Sequence, residues 1–300
     1  MEIFSTIESN LNNLITRFRL SNNNYVLTIN GIDVGFKKEE IDFNVSPNSW
    51  LEGRCGNGAV HEPGLVSTIY ALSKVFGDSK VVFYDIGALF GYHAFIAHEF
   101  FSNVKCVVVE GNPLSSNYIL NNAKGKRVSV LNVVLGLRNE YKKYLVNGFQ
   151  FIPESTLRFY KFLIKKWLKL NCLGKNQGYP TKIYEIETLV LKDIFMDQDA
   201  NSVEIMKVDT EGYQAVFIPP AIDLLAERDV IVLMELDSPK QMAKFNSSND
   251  ALVKMFIDKD YEAYWMDHKT SEAKLSKIVE ISKGRDRNSL VVFVPSKYAN

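Results

Sequence analysis

The sequence predicts a doubly wound, mostly parallel α/β sheet of seven strands. Three observations predict it: apolar runs of five or six residues recur along the 300-residue chain, several close on an acid, and the stretches between them carry helix-like spacing. The clearest unit is Val81-Val82-Phe83-Tyr84-Asp85, a glycine turn through Gly87 and Gly91, a helix-like segment, and Cys106-Val107-Val108-Val109-Glu110. Strand, tight turn, helix and strand make one βαβ unit with a nucleoside site at the turn.

In chain order, an amphipathic helix is expected near residues 3–19. Tyr25-Val26-Leu27-Thr28-Ile29 then meets an Asn30-Gly31 hairpin turn, so residues 1–60 read as a small appendage. The main domain, 61–300, opens with a helix from Pro63 to Phe76. Strands follow near 81–85, 105–109, 128–134, 203–208, 229–235, 261–266 and 289–294. Residues 149–181 form an insertion carrying Arg158, Lys161, Lys165, Lys166, Lys169 and Lys175 against the single acid Glu154. Within it, 157–170 reads as an amphipathic helix with lysines on one stripe and Phe159, Phe162, Leu163, Trp167 and Leu170 on another. Such a helix can cover the sheet edge, cap a ligand site or lie on an anionic membrane surface.

The turn after the first strand carries chemistry. Glycines let a ligand approach bare backbone, and an acid closing the next strand suits two ribose hydroxyls. A dinucleotide site wants G-x-G-x-x-G for its pyrophosphate, whereas this chain has D-x-G-x-x-x-G. Asp85 repels an anion and welcomes a cationic amino acid ligand such as S-adenosylmethionine, so the pattern favours methyl transfer over hydride transfer. The alternative is that Asp85 and the glycines only close an ordinary α/β turn. Read as a half-buried charge facing the ligand, Asp85 is expected to leave the stability of the free protein unchanged or improved when neutralised.

Two more strand ends bear acids, Val203-Glu204-Ile205-Met206-Lys207-Val208-Asp209-Thr210-Glu211-Gly212 and Val230-Ile231-Val232-Leu233-Met234-Glu235. With Asp85-Ile86-Gly87-Ala88-Leu89-Phe90-Gly91-Tyr92 and Glu110-Gly111-Asn112-Pro113, these segments make residues 60 to 240 resemble the FkbM family of S-adenosylmethionine-dependent methyltransferases. The sequence departs from that family at Leu89-Phe90, where relatives more often carry Asn and a small aliphatic residue, and at His93, where Tyr or a small residue is commoner. The resemblance implies a Rossmann-like class I methyltransferase fold whose last strand enters antiparallel, S-adenosylmethionine as cofactor, and O-methylation.

The cofactor-binding set read from these motifs is Asp85, Gly87, Ala88, Gly91, Tyr92, Glu110, Asn112 and Glu62. Asn112 is also expected to cap the next helix, and Glu62-Pro63 to start one. Asp209 or Glu211 is expected to accept the hydroxyl proton if burial raises its pKa, the alternative being a helix cap near Gly212. His93 is a further candidate base, while His98 and His268 have no evident partner in the sequence. Asp209 with Glu235 offers two oxygens for Mg²⁺, but no third ligand is evident, so no metal site is assigned.

Composition excludes several classes. The 35 basic and 35 acidic side chains cancel, which argues against a nucleic acid partner. Cys55, Cys106 and Cys172 lack the number and spacing of a disulfide framework or zinc site, which suits a reducing, cytoplasmic setting. The N-terminal residues carry early acids rather than the apolar core of a signal peptide. The expectation is an O-methyltransferase for a hydroxyl of a saccharide or secondary metabolite, with a glycan favoured by the basic, aromatic insertion. The contrasting expectation is a catalytically silent fold that binds a partner through that insertion. Neither the acceptor nor the oligomeric state is legible.

Overall fold

Continuous β-branched and aromatic runs bury both faces of a strand, and such runs make the centre of this fold. The computed structural model describes residues 14–22, 24–38, 47–147, 150–154, 159–161, 163–164, 181–195, 201–269, 275–278 and 289–299. The chain begins with an antiparallel meander of β1 (Thr16–Ser21), β2 (Asn24–Ile29) and β3 (Ile32–Lys37). Asn30 and Gly31 turn between β2 and β3 with φ of 49° and 82°, the paired left-handed conformation a two-residue hairpin needs. Residues 16–19, expected in a helix, are strand. Alternation in Thr16-Arg17-Phe18-Arg19 lays Phe18 against Tyr25, with ring centroids 5.5 Å apart. Leu14 and Ile15 are irregular, and the rest of that expected helix, 3–13, lies outside the described residues.

After α1 (Pro47–Cys55) and α2 (Pro63–Val75), the chain runs through β4 (Val81–Ile86), α3 (Tyr92–Phe100), β5 (Val104–Val109), α4 (Pro113–Asn122) and β6 (Val128–Leu131). It then leaves the centre to build a second sheet from β7 (Val134–Leu135), β8 (Glu140–Asn147), β9 (Gln150–Pro153) and β10 (Lys182–Leu189), in the order β7-β10-β8-β9. It returns as β11 (Val203–Val208), the short helices α5 (Gln214–Phe217) and α6 (Ile222–Glu227), β12 (Ile231–Leu236), α7 (Pro239–Met242), α8 (Asn249–Ile257), β13 (Tyr261–Met266), β14 (Ser276–Lys277), β15 (Ser289–Pro295) and the terminal α9 (Ser296–Ala299).

The central sheet has the order β14-β13-β15-β12-β11-β4-β5-β6. From β12 to β6 the strands are parallel, and β15 enters antiparallel between β12 and β13. The sheet therefore has eight strands rather than seven, the extra one being the two-residue β14 on the edge. Alternate residues feed two cores. Phe83, Val108, Ile205 and Leu233 face one side with the N-terminal meander, α2 and α3. Tyr84, Val107, Met206 and Val232 face the other with α6 and α8. The meander shares this packing: Phe36 stacks on Tyr92 at 5.8 Å, and the backbone N–H of Lys37 donates to Asn122 Oδ1 at 2.6 Å.

The single strand expected over 128–134 is split. Asn132 donates its side-chain amide to the carbonyls of Glu110, at 2.8 Å, and Gly111, at 3.0 Å, which interrupts the ladder and hands residues 134–135 to the second sheet. That second sheet was not anticipated, because its strands alternate charged and apolar residues too irregularly for a period-two pattern, as in Glu140-Tyr141-Lys142-Lys143-Tyr144. Of the insertion helix expected over 157–170, residues 159–161, 163 and 164 are helical and the others lie outside the described residues. Phe159 packs with Leu145 and Ile152, so the described part covers the second sheet.

Candidate active site

In the parallel pair β4–β11, Asp85 stands opposite Lys207, and neighbours in register project to the same face. Both are buried, and Lys207 Nζ lies 3.1 Å from Asp85 Oδ1. The other carboxylate oxygen of Asp85 accepts the backbone N–H of Ala94 at 3.1 Å, in the first turn of α3. Gly91 holds the N-cap position of that helix at φ 72° and has no side chain to cap with, so Asp85 supplies the acceptor from beneath. Lys207 Nζ also donates to the carbonyl of Gly87 at 3.1 Å and lies 3.9 Å from Asp209 Oδ2. Burial opposes the ammonium charge, but Asp85, Asp209 and Glu62 outweigh it and push the Lys207 pKa up. Asp85 is therefore tied to Lys207 and to the first turn of α3, and this ion pair turns the expectation that neutralising it spares stability into the opposite one.

Only glycine fits at residue 87. Its φ is 74°, and a Cβ there would lie 1.9 Å from the carbonyl oxygen of Asp209, so the first turn rests directly on the backbone after β11. Ala88 and Tyr92 are buried behind the turn. The Tyr92 hydroxyl accepts the backbone N–H of His61 at 3.1 Å, a packing role that ties α3 to the approach of α2. Leu89 is left-handed at φ 53°, where an Asn is at ease and Leu is strained. That conformation aims the Leu89 N–H at Glu110.

Glu110 follows β5 directly. Its Oε2 accepts the N–H of Leu89 and its Oε1 that of Asn112, both at 2.7 Å. Burial drives its pKa up, and the two amides and Lys207 only partly restrain it, leaving it at about 7. A carboxylate oxygen accepts about two hydrogen bonds, so both oxygens keep capacity for a ligand. Asn112 caps α4, its Oδ1 accepting the N–H of Leu114 at 3.0 Å.

Across the site, Pro63 starts α2 and Glu62 occupies its N-cap position at φ 52°, with no capping bond from its side chain. The carboxylate turns instead into a nest of imidazoles. His61 Nε2 lies 3.4 Å from Glu62 Oε1, His93 Nε2 3.4 Å from Oε2, and His268 Nε2 3.6 Å from Oε1. His268 Nε2 is also 3.7 Å from Glu235 Oε1 near the end of β12. The carbonyl of His268 accepts the N–H of Gly64 at 2.9 Å, which clamps the segment after β13 to the start of α2. Burial drives the pKa values of His61 and His93 down. The Glu62 carboxyl, pushed up by burial, is pulled below its ordinary value by the surrounding imidazoles.

Asp209 lies between the two groups and remains partly exposed. Burial raises its pKa well above the usual carboxylate range, Lys207 opposes the rise, and the charges of Glu235, Glu62 and Asp237 add to it. Glu211 does not join them. It is exposed on the following turn at φ 54°, and its Oε2 accepts from Gln241 Nε2 at 3.0 Å. His98 is spent at the far end of α3, 3.1 Å from Glu99.

Asp85, Gly87, Glu110, Asp209, Glu62 and His93 stand at one end of the sheet with Glu235, the strand-end acid weighed with Asp209 as a metal ligand, and the structure adds Lys207 and His268. Lys207, on β11 two residues before Asp209 just past its end, was discoverable from the period of two. His268, given no partner by the sequence, is brought in by the β13 crossover alone.

A polar ligand site beyond the carboxyl ends of a doubly wound sheet, with an acid after the second strand and an antiparallel last strand, defines a class I methyltransferase fold. A family model described as the methyltransferase FkbM domain matches residues 85–263, and the chain belongs to that family. No curated protein matches the chain. Among solved structures, it is similar to a precorrin-6y C5,15-methyltransferase from Geobacter metallireducens, at 12% identity over 76% of this chain and 87% of that one, with a TM-score of 0.37. A methyltransferase from Pyrococcus furiosus matches at 13% identity over 89% and 90%, TM-score 0.36. The N-terminal domain of human METTL16 in complex with SAH matches at 11% over 77% and 70%, TM-score 0.38.

Proposed function

We propose that this FkbM methyltransferase binds S-adenosylmethionine and transfers its methyl group to a hydroxyl of a saccharide or secondary metabolite, with Asp209 accepting the hydroxyl proton. The observation that carries the proposal is the arrangement around Glu110 and Asp209. Glu110 is fixed by two backbone amides with acceptor capacity left for ribose hydroxyls, and the acceptors beside it are carboxylates, which suit a sulfonium and an ammonium. The cofactor supplies an electrophilic methyl group when bound. What the protein adds is alignment and a proton acceptor.

Asp209 suits the second task better than the other candidates. Its carboxylate is reachable and its proton affinity is raised, whereas Glu211 faces Gln241 and His93 is closed in behind Glu62. The acceptor side is favoured by the second sheet, which lies against the turn after β5. A Cβ on Gly111 would sit 3.0 Å from the Phe151 ring, itself stacked on Tyr144 at 4.4 Å. Aromatic rings beside the site suit the faces of a sugar or a polyketide ring.

The test is a methyl-transfer screen over hydroxylated acceptors with mass detection, run on the wild-type chain and on Asp209→Asn. Turnover should fall by about 10²–10⁴ in the variant, the usual range for losing a general base, while S-adenosylhomocysteine affinity stays within a few-fold. If the wild-type chain binds no S-adenosylhomocysteine in calorimetry, the catalytically silent alternative takes its place.

A further inference from the structure

We propose that Glu62, Glu235 and His268 form a binding site for one divalent transition-metal ion. The three side chains come from three distant parts of the chain: the start of α2, the end of β12 and the segment after β13. One donor atom from each lies within 4.8 Å of the others, and all three residues are buried. The contacts of His268 Nε2, 3.6 Å to Glu62 Oε1 and 3.7 Å to Glu235 Oε1, are too long for hydrogen bonds. They are close to the spacing of two ligands on one ion, since donors about 2.1 Å from a tetrahedral centre stand roughly 3.4 Å apart.

Unpartnered nitrogens point the same way. His268 is 1% exposed, and neither ring nitrogen has a hydrogen-bond partner. Leaving both without partners in the interior is costly, and an ion at Nε2 removes half of that cost. His93 is 7% exposed and its Nε2 is likewise unpartnered, aimed at Glu62 Oε2 from 3.4 Å. A metal held by Glu62 would polarise that carboxylate and turn the His93 contact into an outer-shell hydrogen bond, the usual support for a ligating acid. Two carboxylates converging on one imidazole nitrogen also favour a positive charge between them. The Lys269 ammonium, 3.6 Å from Glu235 Oε1, sits on a half-exposed side chain that can swing outward, and Lys207 is held by Asp85.

One imidazole and two carboxylates select Zn²⁺, Mn²⁺, Fe²⁺ or Co²⁺ over Mg²⁺ and Ca²⁺, which prefer all-oxygen shells. Three protein donors leave open positions for oxygen ligands, so an acceptor hydroxyl can occupy the same ion. The site stands on these residues alone and does not depend on how S-adenosylmethionine is bound.

The experiment is calorimetric titration of the chelator-stripped protein with Zn²⁺ and, separately, Mg²⁺. One Zn²⁺ should bind, with Mg²⁺ weaker by about 10²-fold or more. His93→Gln should weaken Zn²⁺ by about 10–100-fold as an outer-shell change, and Glu235→Gln and His268→Gln by more. The same variants should keep S-adenosylhomocysteine affinity within a few-fold of wild type, so a failure of the metal site and a failure of the cofactor reading are read separately. Wild-type protein that does not prefer Zn²⁺, or variants that bind it as wild type does, overturns the proposal. Should the variants fail to fold, X-ray absorption of Zn²⁺ on the wild-type chain decides. A mixed shell of oxygens with one imidazole supports the site, and a shell without imidazole overturns it.

Discussion

Asp85→Asn separates an anchoring carboxylate from a ligand-facing one. The substitution keeps an oxygen for the Ala94 N–H and removes the charge opposite Lys207 Nζ at 3.1 Å. At an effective dielectric of about 20, a unit pair at that distance interacts by about 5 kcal/mol, and breaking buried pairs from one side typically costs about 3–5 kcal/mol. The Gly87 carbonyl and Asp209, 3.9 Å away, stay to satisfy part of the ammonium, which places the expected loss toward the lower figure. For a protein of this size that is a fall in melting temperature of roughly 6–12 °C. Urea unfolding with an unchanged slope is the cleaner measurement. Because the Lys207 pKa is raised, the pair's stabilisation is fully present below the ordinary ammonium value of 10.5 and is lost only above it, so the deficit should be flat from pH 6 to pH 9. Lys207→Met should be similarly harmful, and the double variant should recover about 1–3 kcal/mol of the summed losses. If Asp85→Asn melts with the wild type, the ion pair does not carry the turn and Asp85 faces a ligand after all.

Three further outcomes are expected, besides those for Asp209 and the metal. Glu110→Ala should weaken S-adenosylhomocysteine by about 1.5–3 kcal/mol, and calorimetry showing wild-type affinity in a folded variant removes Glu110 from the cofactor site. Since the folded Glu110 pKa is raised from 4.5 to about 7, its contribution to stability should decline as pH climbs through that interval, while cofactor affinity should rise toward pH 8 and then level; an affinity flat from pH 5.5 to 8 contradicts this. Leu89→Asn should relieve about 1 kcal/mol of left-handed strain against a small loss of apolar burial, and Leu89→Val should be clearly worse. Equal melting temperatures for these two variants would show that φ at residue 89 does not matter.

No helix among the described residues is long and apolar enough to cross a membrane. In the insertion, Tyr160 and Ile164 are exposed.

By itself the sequence determined the central layer. Parallel strands buried on both faces must be nearly continuous apolar runs, so Val81–Ile86, Val104–Val109, Val203–Val208 and Ile231–Leu236 were legible, along with the acids and glycines at their ends. The Asn30-Gly31 hairpin was legible for the same local reason, since its φ angles are a property of those two residues. The second sheet was not, because its strands are short, charged and stabilised by partners as distant as Lys182 and Val146. Nor was the pairing of charges. Which acid is an anchor, which faces a turn and which faces imidazoles depends on register and crossover: Asp85 meets Lys207 across a strand pair, Glu211 turns out to Gln241, and Glu62 finds His268 and Glu235 from the far end of the chain. Local periodicity fixes where a strand lies because burial acts residue by residue. Electrostatic roles are set by distances of a few ångströms between segments far apart in sequence, and only the tertiary structure supplies those.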